Sequence, residues 1–182
     1  MTFAEDLNDT NLTYELDDNE IIPESYSFSD FQEKINQSED NSSISINGTY
    51  RYDKNIDENN SLNDGVVISK NLTIIGDNCT IDGNNLARCF HIKSNLNIVL
   101  ENLTIVNGYS DRGNGGGILT DQYVNLTIKN CVFENNKVYN WNGGALSTDK
   151  GGYVEICNST FENNTSIRES SLKWNKFKRG SG

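Results

Sequence analysis

The sequence predicts an all-β fold, namely a right-handed parallel β-helix of about 28 residues per coil with a short N-terminal capping helix. The main observation is an internal repeat, because similar segments recur at one constant spacing along the chain. These segments are Phe133–Asn136 with Phe161–Asn164, Gly115–Ile118 with Gly143–Leu146, and Asn97–Gly108 with Asn125–Asn136 and Tyr153–Asn164. A period in this range is typical of solenoids, in which each repeat packs only on its neighbours.

The part of the chain before Gly65 differs from the repeats. Residues 1–25 are acidic and aperiodic, and they are predicted to be disordered. Residues 26–64 are predicted to form an N-terminal cap that contains a short helix, strands and a polar loop. Phe31 and Ile35 are spaced as on one face of a helix over residues 29–38, with Ser29 or Asp30 as its N-cap. We expect this helix to cover the open apolar end of the first coil.

Residues 65–166 are predicted to form the coils, because short β-branched and aromatic runs alternate there with Asn, Gly and Asp. If each coil rises by one strand spacing, about 4.8 Å, equivalent residues stack in columns. The three predicted apolar columns are Ile105, Phe133 and Phe161; Phe90, Ile118 and Leu146; and Leu100, Ile128 and Ile156. An earlier coil at residues 71–81 matches residues 95–105 at an offset of 24. Residues 167–182 are predicted as a basic tail or a degenerate last coil.

Four asparagines share one further column, and they are predicted to form a structural ladder. They are Asn78, Asn102, Asn130 and Asn158. Asparagine tolerates the left-handed backbone of a sharp bend, and its amide both donates and accepts hydrogen bonds along a stack. Several belong to Asn-x-Ser/Thr motifs, which are abundant in this chain of 29 asparagines. We expect the ladder to shield these motifs from glycosylation, whereas exposed motifs elsewhere could be modified.

Few residues point to catalysis. Asp121 and Asp149 occupy equivalent positions of successive repeats, in one column with Lys93, and they are the weak catalytic candidates. The alternative is that both are solvated turn residues after a strand. For His91, the only histidine, no acidic, serine or cysteine partner is identifiable, so no catalytic role is predicted. The four cysteines lack metal-ligand spacing, and neither a metal nor a cofactor site is predicted.

Charge and hydropathy exclude other classes of partner. The net charge of −11 argues against nucleic acid, which is bound through basic patches. No run approaches the roughly 20 apolar residues of a membrane-spanning helix, so membrane insertion is not predicted. The first residues lack the apolar segment of a signal peptide, and the sequence gives no indication of an oligomeric state.

The two repeat motifs, GGGI with GGAL and FENN with FENN, resemble the repeats of polymorphic outer membrane proteins. The layout SFSDFQEKIN, ISINGTYRYD, NLTIIGDNCTIDGNN and CFHI before the repeats is similar to that of adhesin-like surface proteins of methanogenic archaea. The resemblance covers residues 26–166. It implies a β-helix at the cell surface, outside the cell, and no catalytic residues.

We therefore expect a non-enzymatic, adhesin-like protein that contacts a glycan or another cell through a β-helix surface. One alternative is a polysaccharide lyase or glycoside hydrolase of the β-helix type that uses Asp121 and Asp149. Another is a structural spacer or a fragment of a longer surface protein.

Overall fold

The computed structural model describes residues 25–168. The predicted N-terminal segment 1–25 and the predicted tail 167–182 lie almost wholly outside these residues. Two short α-helices are present, α1 (Phe28–Gln37) and α2 (Lys54–Asp57), with a 3-10 turn at Leu62–Asp64. The remaining elements are β-strands, and the described part of the chain is compatible with the predicted all-β class.

The strands are mostly short. They are β1 (Ser25–Ser27), β2 (Ser42–Arg51), β3 (Val66–Ile68), β4 (Leu72–Asp82), β5 (Phe90–Ile92), β6 (Asn97–Val106), β7 (Tyr109–Ser110), β8 (Ile118–Thr120), β9 (Asn125–Lys129), β10 (Val132–Glu134), β11 (Lys137–Tyr139), β12 (Leu146–Thr148), β13 (Tyr153–Cys157), β14 (Thr160–Glu162) and β15 (Thr165–Ile167).

The strands form three sheets in which every described pairing is parallel. The first sheet has the order β1-β2-β4-β6-β10-β14, with β9 beside β6 and β13 beside β9. The second sheet is β7-β11-β15, and the third is β3-β5-β8-β12. Apart from β1 beside β2, the neighbour of each strand comes from the next repeat rather than from the adjacent strand in sequence. Parallel pairing requires such long connections, and here the other two sheets supply them.

The three predicted apolar columns are confirmed by the register of the strands. Phe133 lies opposite both Ile105 and Phe161, and its ring stacks on that of Phe161 with 4.6 Å between the centroids. The Phe90 and Leu100 columns likewise pair with their equivalents in the next repeats, in the third and first sheets. The column members in the earlier repeats form one contiguous core, with Leu146 partly buried against it, whereas Phe161 and Ile156 in the last described repeat are 40% and 46% exposed.

The predicted alignment of the earlier coil is only half right. It holds where Cys79 lies opposite Leu103, but Leu72 lies opposite Ile98 rather than Leu96. The register shifts between Ile75 and Cys79, where β4 contains two more residues than β6. A β-bulge of this kind absorbs a difference in length without moving the flanking core residues.

The second sheet was not predicted. Its strands have two or three residues each, and alternate side chains are polar, so no apolar run marks them. Within it, Val138 and Ser110 are the buried residues, and they lie opposite each other. The pairing of these strands follows from the repeat, because the first and third sheets already fix the register between successive repeats.

The predicted helix is α1, but its N-cap is Ser27 rather than Ser29 or Asp30. The Ser27 hydroxyl accepts from the backbone N–H of Asp30, and the Asp30 carboxylate accepts from the backbone N–H of Ser27. This reciprocal pair is a capping box, and it places the helix start one residue earlier than the apolar pattern suggests. The helix contacts β1, β2 and β3, the first strands of the first and third sheets.

Asparagine makes most of the bends. Of the fourteen non-glycine residues with positive φ in residues 25–168, twelve are asparagine. Its short side chain bonds locally to the backbone and so lowers the cost of the left-handed conformation. The corners that the strands require therefore account for twelve of the 29 asparagines in the chain.

Candidate functional site

The single histidine lies between two carboxylates. His91 is the middle residue of β5, and strand alternation points it away from the core that Phe90 and Ile92 enter. Its Nδ1 is 2.8 Å from an oxygen of Asp64, and its Nε2 is 2.8 Å from an oxygen of Asp121. No acidic partner of His91 was identifiable from the sequence, but the structure gives it two.

Sequence reasoning missed these partners because both carboxylates lie outside the strands. Asp64 ends the 3-10 turn just before β3, and Asp121 follows β8 by one residue. Pairing of β5 with both β3 and β8 places His91 opposite Val67 and Leu119, between the two loops. The register of the third sheet was thus the signal that could have revealed the cluster.

A buried arginine holds one side of this cluster. Arg88 is only 1% exposed, and it is the largest fully buried side chain of the described residues. Its guanidinium forms an ion pair with the Asp64 carboxylate and donates to the backbone carbonyls of Asp64, Asn114 and Gly115 and to the Ser110 hydroxyl. A buried charge is costly unless it is fully bonded. This set of acceptors therefore fixes the turn that contains Asp64 to the loop that follows β7.

The environment of Asp64 favours its charged form. Burial raises the pKa of Asp64, but the hydrogen bond with His91 and the charge of Arg88 lower it more, to a pKa of about 2. Asp64 therefore carries a full negative charge at any pH near neutrality.

The two predicted catalytic candidates are in one column, but the structure gives them different surroundings. Asp121 is bonded to His91, and its other carboxylate oxygen lies 3.8 Å from the Lys93 ammonium. Asp149 is exposed, and its carboxylate accepts from the backbone N–H of Lys150. Among the contacts of residues 25–168, none joins the two carboxylates. Lys93, predicted in the same column, lies with Asp121 and not with Asp149.

Two adjoining clefts lie beside this cluster. The first, of about 540 Å³, lies between the start of the first sheet and α2, and the second, of about 450 Å³, extends to the loop after β7. Tyr52, Lys54 and Leu86 line both clefts. Because Asp64 also lines the second cleft, the Arg88 and His91 network supports one of its walls.

The clefts combine apolar and charged surface. Leu86 is 51% exposed at the boundary between them, and Ile56 is 48% exposed in the first. The second cleft carries Arg112 together with the acidic side chains of Glu58 and Asp64. Hydrogen-bonding groups of both kinds beside apolar patches suit a polar ligand that also has hydrophobic faces.

The four asparagines of the predicted ladder are all in the left-handed conformation and all exposed. The Asn130 amide donates to the Asn102 carbonyl oxygen at 3.2 Å. Within residues 25–168, the side chains of Asn78 and Asn158 have no hydrogen-bond partner. The expectation that this column is shielded is therefore wrong, because these side chains point outward from the bend.

A second asparagine column enters the core at Asn136, and sequence reasoning missed it. Asn136 is fully buried, and its side chain accepts from the Gly108 backbone N–H and donates to the Ile105 carbonyl and to Asn164. Asn164 repeats the pattern by accepting from the backbone N–H of Asn136 and donating to the Phe133 carbonyl. The last Asn of the repeated FENN motif was the signal for this column.

Within residues 25–168 there is neither a metal-binding cluster nor a membrane-spanning helix. In residues 25–168 no three His, Cys, Asp or Glu side chains are placed to hold a metal ion. No helix in the same range is both long and apolar enough to cross a membrane. Comparison of the chain with family models, curated proteins and solved structures gave no match.

Proposed function

We propose that the three parallel sheets are the three faces of a right-handed parallel β-helix. The proposal is supported by the constant register between successive repeats in all three sheets, because each repeat then contributes strands to every face. In this arrangement α1 covers the first coil, where its Phe31 ring packs on the rings of Tyr50 and Phe90. The handedness follows the strong preference of parallel crossover connections.

We further propose that the protein is a non-enzymatic, adhesin-like protein of the cell surface that binds a glycan. The observation that carries this proposal is the pair of adjoining clefts with Tyr52, Lys54 and Leu86 in common. A shared boundary makes one continuous binding surface, and this suits a linear chain of sugars more than a single compact molecule. The resemblance to adhesin-like archaeal surface proteins is consistent with the same role and with an extracellular location.

The charge of the protein favours a neutral glycan over an acidic one. The chain has a net charge of −11, and long acidic polymers are repelled by a field of that sign. Neutral sugars present hydroxyl groups to polar side chains and C–H faces to apolar ones, and both kinds of partner line the clefts. We therefore expect neutral polysaccharides to bind and polyuronates not to bind.

Affinity electrophoresis and calorimetry with neutral and acidic polysaccharides would test this function. Leu86→Ser should weaken binding of a neutral polysaccharide by about tenfold, since it removes an apolar contact at the centre of the surface. Ile156→Ser is the matched control, because Ile156 is similarly exposed, at 46%, but lines neither cleft. Equal binding by both variants would contradict the cleft as the glycan site.

The enzymatic alternative has one specific observation in its favour. Asp121 and Asp64 both hydrogen-bond to His91, and such a set could supply a general acid and a general base. Release of reducing or unsaturated ends from a polysaccharide panel would support it, provided that Asp121→Asn abolishes turnover. Asp149→Asn tests the second predicted candidate separately. A protein that neither binds nor cleaves glycans would support the structural spacer instead.

A further inference from the structure

Four Asn-x-Thr motifs lie at the same corner of the first sheet, since Thr49 of the motif Asn47–Thr49 lies opposite Thr80. In the other three motifs the asparagine is left-handed, and they are Asn78–Thr80, Asn102–Thr104 and Asn158–Thr160. In the first two of these three motifs the middle residue is buried, whereas the asparagine is exposed. The corner therefore presents the two residues that define an N-glycosylation acceptor on its outer side.

The register of the strands sets the spacing of these motifs. Thr80 lies opposite Thr104, and Val132 lies between Thr104 and Thr160. Neighbouring strands are about 4.8 Å apart, so motifs in adjacent repeats would hold their asparagines very close together. The repeat that contains Asn130 lacks the threonine and separates Asn158 from Asn78 and Asn102.

The hydrogen bonds distinguish the exposed motifs from one another. The amides of Asn78 and Asn158 have no hydrogen-bond partner among the described residues, and the Asn102 oxygen accepts from Asn130. A second group of motifs, at Asn71 and Asn125, has its amides bonded. Asn71 donates to Asp40 at 3.1 Å and accepts from a backbone N–H, and Asn125 donates to Asn97 at 2.9 Å.

We propose that this corner is an N-glycosylation face, with Asn78 and Asn158 as its preferred acceptors. In the transfer, the amide Nδ2 forms a bond to C1 of the first sugar of a polyprenyl-linked oligosaccharide. The bond between C1 and the phosphate oxygen breaks, the polyprenyl phosphate or diphosphate leaves, and the amide loses one proton to the transferase. The proposal rests on the proposed extracellular location, since glycosylation of this kind accompanies export.

The structure also explains how the motifs can be removed without damage. Val132 already occupies the threonine position in one repeat, between Thr104 and Thr160. Valine has the shape of threonine and favours strands equally, so Thr80→Val and Thr160→Val should fold normally. Circular dichroism and thermal melting of each variant would establish that the fold is kept.

The test uses the purified, folded chain with an oligosaccharyltransferase and a polyprenyl-linked oligosaccharide donor, followed by mass spectrometry of the peptides. We expect most molecules to carry sugar at Asn78 and Asn158, less at Asn102, and little at Asn71 and Asn125. Thr80→Val and Thr160→Val should each abolish modification at their own motif and leave the other motif unchanged. Modification of Asn71 and Asn125 equal to that of Asn78 would overturn the proposal.

A substitution that adds a motif gives the complementary test. Val132→Thr completes an acceptor motif at Asn130, which is exposed and left-handed like the others. Because the Asn130 amide donates to Asn102, we expect less sugar there than at Asn78 and Asn158, and no modification at this corner in any variant would contradict the proposal. The result is independent of glycan binding in the clefts, because the transferase assay requires no ligand. Failure of the glycan-binding function would therefore leave this test intact.

Discussion

Asp64 connects several parts of the third sheet through a single carboxylate. It pairs with Arg88 and with His91, and the interactions of these two residues reach the loops after β7 and β8. The pKa of Asp64 is about 2 in the folded protein and has its ordinary value in the unfolded chain. The ionised carboxylate therefore stabilises the folded state. Stability from this carboxylate is thus fully present above the ordinary pKa and is lost as pH falls toward 2.

Asp64→Asn should therefore destabilise the protein at pH 6 but have little effect near pH 2. The reason is that wild-type Asp64 is about half protonated near pH 2, so most of the stability that depends on its charge is already lost there. Thermal melting of both proteins across this range would measure the effect. Asp149→Asn, at an exposed carboxylate, is the control. The same pH-dependent difference in the control would show that the Asp64 cluster is not its cause.

The buried amide of Asn136 gives a second prediction at this scale. Asn136→Leu would leave the Gly108 N–H and the Ile105 carbonyl without partners inside the core. An unsatisfied buried group costs about 1–3 kcal/mol, so the free energy of unfolding should fall by at least about 2 kcal/mol. Denaturant titration would measure it.

Asn125→Leu is the matched control for that experiment. Asn125 is exposed, and its side chain makes one amide hydrogen bond. Surface substitutions of this kind usually change stability by about 0.5 kcal/mol or less. An equally small loss in Asn136→Leu would contradict the buried position of Asn136.

At the scale of single elements, α1 depends on an aspartate from another segment. Asp57 at the end of α2 is fully buried, and its carboxylate accepts from the backbone N–H groups of Phe28, Ser29 and Asp53 and from the Ser29 hydroxyl. It thus binds the free N–H groups at the start of α1, where negative charge is also favoured by the helix dipole. This contact joins the two helices.

Asp57→Ala should destabilise the protein more than Ser27→Ala. Loss of a single N-cap side chain costs about 1 kcal/mol, whereas Asp57→Ala leaves several backbone donors unsatisfied and should cost about 2 kcal/mol or more. Chemical denaturation of both variants would rank them. A larger loss in Ser27→Ala would show that the capping box, not Asp57, holds the helix start.

The elements also show what the sequence could and could not predict. The columns through Phe133 and Ile118 were predictable because a fixed period and inward apolar residues determine the register. The cluster around His91 was predictable only in part, since the register of the third sheet places Asp121 near it, whereas Asp64 ends a turn whose geometry leaves no periodic signal. The exposure of Asn130 was also missed, because the pattern cannot show on which side of a bend a side chain lies.

At the scale of the whole molecule, the repeat predicts which deletions the fold tolerates. Removing residues 125–152 joins Val124 to Tyr153, the residue that lies opposite Asn125 in the first sheet. In the proposed β-helix this removes one entire coil, and every remaining strand keeps an equivalent neighbour. We expect a folded protein with a cooperative thermal transition and the same type of far-ultraviolet circular dichroism spectrum.

A deletion of half a repeat is the control. Removing residues 125–138 would place strands of the first sheet against strands of another, and inward residues would meet outward ones. That variant should unfold or aggregate. If both deletions were tolerated equally, the strands would not be coupled in coils, and the proposed β-helix would be wrong.

The asparagine column through Asn136 has a direction. The backbone of each repeat donates to the amide oxygen of the following one, from Gly108 to Asn136 and from Asn136 to Asn164. A β-carbon at Gly108 would lie only 2.4 Å from the Gly116 carbonyl oxygen, so the first member of the column has to be glycine. The repeats are therefore not interchangeable. A glycine-type repeat placed after an asparagine-type one would leave the preceding backbone N–H without its amide acceptor, so a chain with that order should be less stable by about 1–3 kcal/mol.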